Sequence, residues 1–264
     1  MSPTAQEVVE EDVERHAVPL RRKLLAEGIG TFVLVFGGVG AWVLEGSHRI
    51  GSLGVAVAFG FTLLFLMYTI GPISGCHVNP AVTLGHLLLG RINRADAGFY
   101  VLAQLIGGFL SGAVIYAVAK NLPSYDRSRD GLGANGWGGH SPAKSVVDGP
   151  LGNVTTNGYG LAATITVEII LTAVLVFVVL ASTDQLSDVP LAGLSIGTAY
   201  AVVTLVALPI DGTSVNPVRS LAVAPYQDGA MGQVWAFILF PLLGGLLGAL
   251  IYSLLFGRAR NMAT

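Results

Sequence analysis

Ser74-Gly75-Cys76-His77-Val78-Asn79-Pro80-Ala81-Val82-Thr83 has a counterpart at Asp211-Gly212-Thr213-Ser214-Val215-Asn216-Pro217-Val218-Arg219-Ser220. Aligned on their prolines, the two stretches share Gly-x-x-Val-Asn-Pro, and each interrupts a strongly apolar region. Asparagine is a good helix N-cap. Proline suits the first helical position because the N–H it lacks would be unpaired there anyway. Each stretch is therefore predicted to be a loop turning abruptly into a short helix, with Pro80 and Pro217 as structural supports. In a membrane, such a broken helix is tolerated only where protein or water surrounds its loose backbone groups.

The surrounding chain is that of a membrane protein. Its 264 residues are 53% hydrophobic and 11% charged, with a mean hydropathy of +0.69. A soluble domain has about 25% charged residues. Several apolar runs are long enough to cross about 30 Å of hydrocarbon, and they lack the alternation of a transmembrane barrel. The expected class is an all-α membrane protein. A formal net charge of −2 argues against bulk attraction to nucleic acid, and a single cysteine excludes an intrachain disulfide.

Residues 1–20 hold Glu7, Glu10, Glu11, Asp12 and Glu14 and read as an acidic cytoplasmic tail. Arg21, Arg22 and Lys23 abut the first span and favour a cytoplasmic N-terminus. Spans are expected over about Leu24–Leu44, Leu53–Ile70, Asp96–Ala119, Leu161–Ala181, Leu191–Leu208 and Gly232–Phe256, with half-helices at Ala81–Leu89 and Pro217–Pro225. Gly46 to Arg49 read as a short external turn. Residues 121–160, rich in Gly, Asn, Ser, Asp and Pro, read as an external loop. That loop separates a first repeat, 21–120, from a second, 161–257. Residues 258–264, with Arg258 and Arg260, form a cytoplasmic C-terminus.

Glu27-x-x-x-Thr31 in the first repeat matches Glu168-x-x-x-Thr172 in the second. An odd number of spans per repeat turns the copies upside down, so their half-helices meet near the midplane. Both half-helix N-termini then direct partial positive charge at the centre. If the Asn79 and Asn216 oxygens cap their helices, the amide hydrogens are expected to face a lumen, orient a passing water and frustrate a proton wire. Arg219 must lie inside the bundle, where a charge costs at least about 2.5 kcal/mol and normally marks a path. It is expected to narrow the external mouth and repel cations. Glu27 and Glu168 are expected to accept hydrogen bonds from the irregular loops ahead of the proline turns.

These residues resemble the major intrinsic proteins, the aquaporin and glyceroporin family, and among them bacterial aquaporins of the Z type. The matching marks are Ala26-Glu27-Gly28-x-Gly30-Thr31-Phe32 and the two Asn-Pro stretches. The resemblance implies six spans plus two half-helices, one pore per subunit, a homotetramer and passive flow across the cell membrane, in bacteria the inner membrane. It implies a pore midplane at Asn79 and Asn216 and a selectivity ring of Phe59, Thr204, Thr213 and Arg219. Thr204 stands where water-specific members usually have histidine and glycerol channels glycine. A wider, less polar ring is expected, with the threonine hydroxyl bonded back to its own helix. Ser220 and Ala224 pull back toward the water type, whereas Ile238 and Val218 depart from it.

Cys76, three before Asn79, is expected to border the cytoplasmic vestibule or else to be a packed small hydrophobe. His77 is expected to offer its carbonyl to the pore. Gly107-Gly108 and Gly244-Gly245 suggest contact across the repeat. Trp137, His140, Asp148 and the Asn153 sequon carry no spacing that assigns a role. No cofactor or metal site is expected, and no nucleophile–base pair points to an enzyme. The expected function is a water channel excluding protons and ions. Glycerol, urea or ammonia are possible further permeants, and a glycerol or small-solute facilitator is the alternative. An ion-coupled transporter or a closed-pore junction protein are readings of other classes.

Overall fold

In the computed structural model, residues 18–45, 47–149, 152–187 and 190–262 are described. The acidic tail before residue 18, Gly46 and Asp188 lie outside these residues, as do the side chains of His48, Arg49, Asp148, Asn153, Arg258 and Arg260. Among the described residues, six helices are long and apolar enough to cross a membrane. In chain order the helices are α1 (Leu20–Glu45), α2 (Ser47–Thr69), the single turn α3 (Gly71–Ser74), the half-helix α4 (Pro80–Leu88) and α5 (Arg94–Ala119). The short α6 (Arg127–Asp130) follows, then α7 (Leu161–Ser182), α8 (Ala192–Asp211), the half-helix α9 (Pro217–Val223) and α10 (Ala236–Met262).

Two expectations change at the ends of spans. The turn expected over 46–49 is partly helical from Ser47, and the helix breaks at Gly51, whose φ of 61° favours glycine. Among its described residues the stretch 121–160 contains no span, but it is more structured than a loop. It holds α6, a 3₁₀ turn at Gly138–His140 and an antiparallel hairpin, β1 (Ser145–Gly149) with β2 (Gly152–Thr156). Around α6, hydrogen bonds from Ser128 hold the Asp126 carboxyl below its usual range, and Arg129 does the same for Asp130.

Helix packing repeats itself. α1 lies on α2 and α5, as α7 lies on α8 and α10. Each half-helix crosses to the other repeat: α9 packs on α5, and α4 on α10. Glycines set these approaches. A Cβ at Gly107 would stand 2.0 Å from the Gly28 carbonyl oxygen of α1, and one at Gly244 would stand 2.6 Å from the Ile169 oxygen of α7. Their neighbours face the other way: Gly108 meets Val218 of α9, and Gly245 meets Ala81 of α4. The two glycine pairs therefore do not touch each other. Each joins its own repeat on one side and the opposite half-helix on the other. Where α2 crosses α8, Gly60 and Gly197 face each other's carbonyl oxygens reciprocally, at 2.6 and 2.7 Å from a would-be Cβ. Leu25, Phe61, Leu102, Val202 and Leu254 are among the large apolar side chains left exposed on the spans, an outer surface suited to hydrocarbon.

Candidate functional site

The two proline turns meet at the centre of the bundle. Asn79 caps α4, its Oδ1 accepting the Ala81 N–H at 2.8 Å, and Asn216 caps α9, accepting from Val218 at 3.0 Å. Each amide nitrogen then crosses to the other repeat: Asn79 Nδ2 donates to the Val215 carbonyl at 2.8 Å, and Asn216 Nδ2 to the Val78 carbonyl at 2.9 Å. One amide hydrogen of each asparagine is therefore bound across the midplane. The sequence reading, which turned both toward a lumen, missed this staple because it treated each turn alone. One hydrogen per carboxamide remains for another acceptor.

The loops ahead of the turns are strained alike. Cys76 and Val78, and their counterparts Thr213 and Val215, have φ between 42° and 53°. This left-handed region is costly for β-branched residues and persists only when neighbours enforce it. Two carboxylates do so. Glu27 accepts from the N–H groups of His77 and Val78 at 2.9 and 2.7 Å. Glu168 accepts from Ser214 and Val215, both at 2.8 Å. Gln104, not singled out in the sequence, donates to Glu27 at 2.8 Å and to Thr83 at 3.1 Å.

Beside the first turn lies a cavity of about 10 Å³, walled by both repeats and lined by Cys76, His77, Val78, Asn79, Val82 and Tyr200, among others. That volume holds about one water. Cys76 is thus both buried and cavity-lining. The His77 ring lies 3.2 Å from Thr83 Oγ1 and stacks on His86 at 4.2 Å. Among the described residues, no three His, Cys, Asp or Glu side chains gather as a metal site.

Phe59, Thr204, Thr213 and Arg219 are all buried. Gly38 leaves the space that the Phe59 ring fills, for a Cβ there would lie 2.2 Å from it. Arg219 donates through Nη1 to the Gly133 carbonyl and Asn135 Oδ1, at 2.8 and 2.9 Å, and through Nη2 to the Gly212 carbonyl at 3.1 Å. Its guanidinium carbon stands 5.8 Å from the centres of both the Trp42 and Phe59 rings. Nε has no partner among the described residues. The Thr204 hydroxyl is not bonded back to its helix, as Thr62 is to Ala58 at 2.7 Å; it too has no partner among the described residues. Thr213 Oγ1 instead donates to the Thr204 carbonyl at 3.0 Å, so that carbonyl's oxygen is already engaged. Asn135, Gly133 and Asp211 complete this region. The first two come from a loop with no telling motif. Asp211 was visible as an acid at the end of an apolar run.

An inverted pair of three-span repeats, with half-helices stapled at opposed asparagines, defines a membrane protein of the broken-helix, midplane-site class. Residues 14–252 match the family model of the major intrinsic proteins. The chain belongs to the major intrinsic protein family. It is 42% identical over 241 residues to Aquaporin Z of Photorhabdus laumondii, a match covering 90% of this chain and 98% of that protein. It is 40% identical to Aquaporin Z of Brucella melitensis, over 89% of this chain and 98% of that one. The fold is that of the aquaglyceroporin from Plasmodium falciparum, with a TM-score of 0.68 and 19% identity, covering 89% of this chain and 96% of that one.

Proposed function

We propose that the chain is a passive water channel that excludes protons and ions. The observation that carries this reading is the reciprocal staple, Asn79 to Val215 and Asn216 to Val78. It fixes two carboxamides at the meeting of two positive helix ends, each with a hydrogen to spare for a water oxygen. A water held there by two donors has its own hydrogens turned outward, and the field of the helix ends opposes cations. Similarity to Aquaporin Z of two bacteria over nearly the whole chain supports water as the permeant.

Phe59, Thr204, Thr213 and Arg219 form the selectivity ring in this reading, with Cys76 and His77 at the vestibule on the other side of the midplane. The ring faces the external side, residues 121–160 cover its mouth, both termini are cytoplasmic, and four copies assemble in the cell membrane. A second reading, slow passage of glycerol, urea or ammonia, is favoured by one observation. Thr204 brings a smaller side chain than imidazole and a hydroxyl without a protein partner. Stopped-flow light scattering of reconstituted vesicles tests both. Water flux well above protein-free vesicles is expected, with measurable glycerol flux that Thr204→His abolishes. Water flux at the lipid background rejects the channel. Glycerol flux equal to protein-free vesicles rejects the wider ring, and flux that saturates and follows an ion gradient indicates a coupled transporter.

A further inference from the structure

Asp211 ends α8 and is completely buried. A lone carboxylate in such a place costs several kcal/mol, so its contacts need a full account. Oδ1 accepts the Thr213 N–H at 3.0 Å. The main-chain carbonyl accepts from Gly136 N–H at 3.1 Å and from Asn135 Nδ2 at 3.2 Å. Asn135 in turn accepts from Arg219 and from Ser220 Oγ, at 2.9 and 2.8 Å. The Asp211 carboxyl therefore stands behind Thr213 and, through the adjacent Gly212 carbonyl, behind Arg219, while the Asp211 main chain reaches Arg219 through Asn135. Its remaining oxygen, Oδ2, meets no donor among the described residues, and its carboxyl lies against that of Glu168.

The first repeat shows what belongs there. Ser74 occupies the position matching Asp211. Its Oγ accepts the Cys76 N–H at 3.1 Å, as Asp211 Oδ1 accepts that of Thr213, and donates to Glu27 at 2.7 Å. The glutamate of each repeat therefore has a neighbour at this position, and in the first repeat that neighbour is a donor. An ionised Asp211 has no hydrogen to give. Two buried carboxylates in contact cannot both hold their charge, whereas a protonated Asp211 reproduces the serine arrangement.

We propose that Asp211 and Glu168 hold one proton between them, and that this shared proton positions Thr213 and Arg219, so that discrimination against solutes larger than water depends on pH. The inference rests on the assignment of those residues to the ring. The charged and titratable groups facing the pair are Arg219 from α9 and Tyr200 from α8. From the covering loop come Asn135 and Gly136, which do not titrate. With the proton in place, the pair carries one negative charge against the one positive charge of Arg219. When pH rises and the proton leaves, two negative charges face each other and Asp211 Oδ2 turns from Glu168. Thr213, whose N–H Oδ1 holds, moves with it, and so does the adjacent Gly212 carbonyl that accepts from Arg219. The ring is tight where the proton is held and loose where it is lost.

The test uses the full chain. Infrared spectroscopy should show the C=O stretch of a buried protonated carboxylic acid in the wild type near neutral pH. That band should fade at alkaline pH and be missing in Asp211→Asn and Asp211→Ser. In vesicles between about pH 5 and 9, the glycerol-to-water permeability ratio of the wild type should rise several-fold toward the alkaline end. Asp211→Ser, which copies Ser74, and Asp211→Asn, which keeps a donor, should both give a flat profile. A wild-type band that is absent, a flat wild-type profile, or an unchanged pH step in Asp211→Ser overturns the proposal. If neither variant folds, the wild-type band and its loss at alkaline pH decide the matter. Wild-type protein that shows the band but conducts no water rejects the pore reading while leaving the shared proton standing.

Discussion

At the residue scale, two buried carboxylates, Glu27 and Glu168, hold an otherwise unfavourable backbone. Glu27 is the simplest to isolate. Its carboxylate answers two loop N–H groups and the hydroxyl of Ser74. Each buried donor left unmet costs about 1–3 kcal/mol. Glu27→Ala should therefore lower stability by about 2–5 kcal/mol, and Glu27→Gln, which keeps one acceptor, by less; thermal unfolding in detergent measures both. Equal losses would show that packing, not hydrogen bonding, is what the glutamate supplies. Cys76 gives a second residue-level test. It lines the cavity beside Asn79, so a thiol-blocking mercurial should reduce water flux in the wild type and leave Cys76→Ser unaffected. Unchanged flux despite confirmed labelling would mean that the thiol lies off the path. Glu27, Glu168, both asparagines and Arg219 stood out in the sequence because each is polar in an apolar run. Asn135 and Gly133 did not, since a loop rich in glycine and asparagine gives no sign of which residue reaches inward.

At the scale of elements, spans and half-helices were legible to within a few residues, because hydropathy and proline mark them. What the sequence did not show is where each glycine face points. Gly107 and Gly108 are adjacent, yet one receives the backbone of α1 and the other the side chain of Val218. Adjacent positions on a helix lie about 100° apart, so such a pair serves two neighbours at once. Val218 fits because Gly108 makes room, for a Cβ there would lie 2.4 Å from its side chain. A methyl at Gly107 would meet main-chain atoms of Gly28, which cannot swing aside as a flexible side chain can. Gly107→Ala should force α5 away from α1 and destabilise by about 1–3 kcal/mol, read as a lower unfolding temperature. Gly98→Ala, whose Cβ would meet open space, should change little. Equal effects at the two positions would refute the close approach.

At the scale of the whole molecule, the repeats are interlocked rather than side by side. α4 packs on α10 and α9 on α5, and the staple joins one turn to the other. The inverted arrangement was legible from the paired Asn-Pro and Glu-x-x-x-Thr marks. The cross-bonded carboxamides were not, because a hydrogen bond between residues 136 positions apart has no local signature. Cutting the chain between Gly149, the end of β1, and Gly152, the start of β2, spares Gly133 and Asn135. The two fragments made together should restore water flux in vesicles, and either fragment alone should give none. Flux from one fragment would show that a single repeat can build a path.

The staple has one further consequence. A single repeat offers one half-helix, one reaching carboxamide and one loop carbonyl that waits for the other's. Two such units inserted in opposite senses are the smallest assembly in which every reaching amide finds its mate. The closed centre is thus a property of the seam, and neither half owns it.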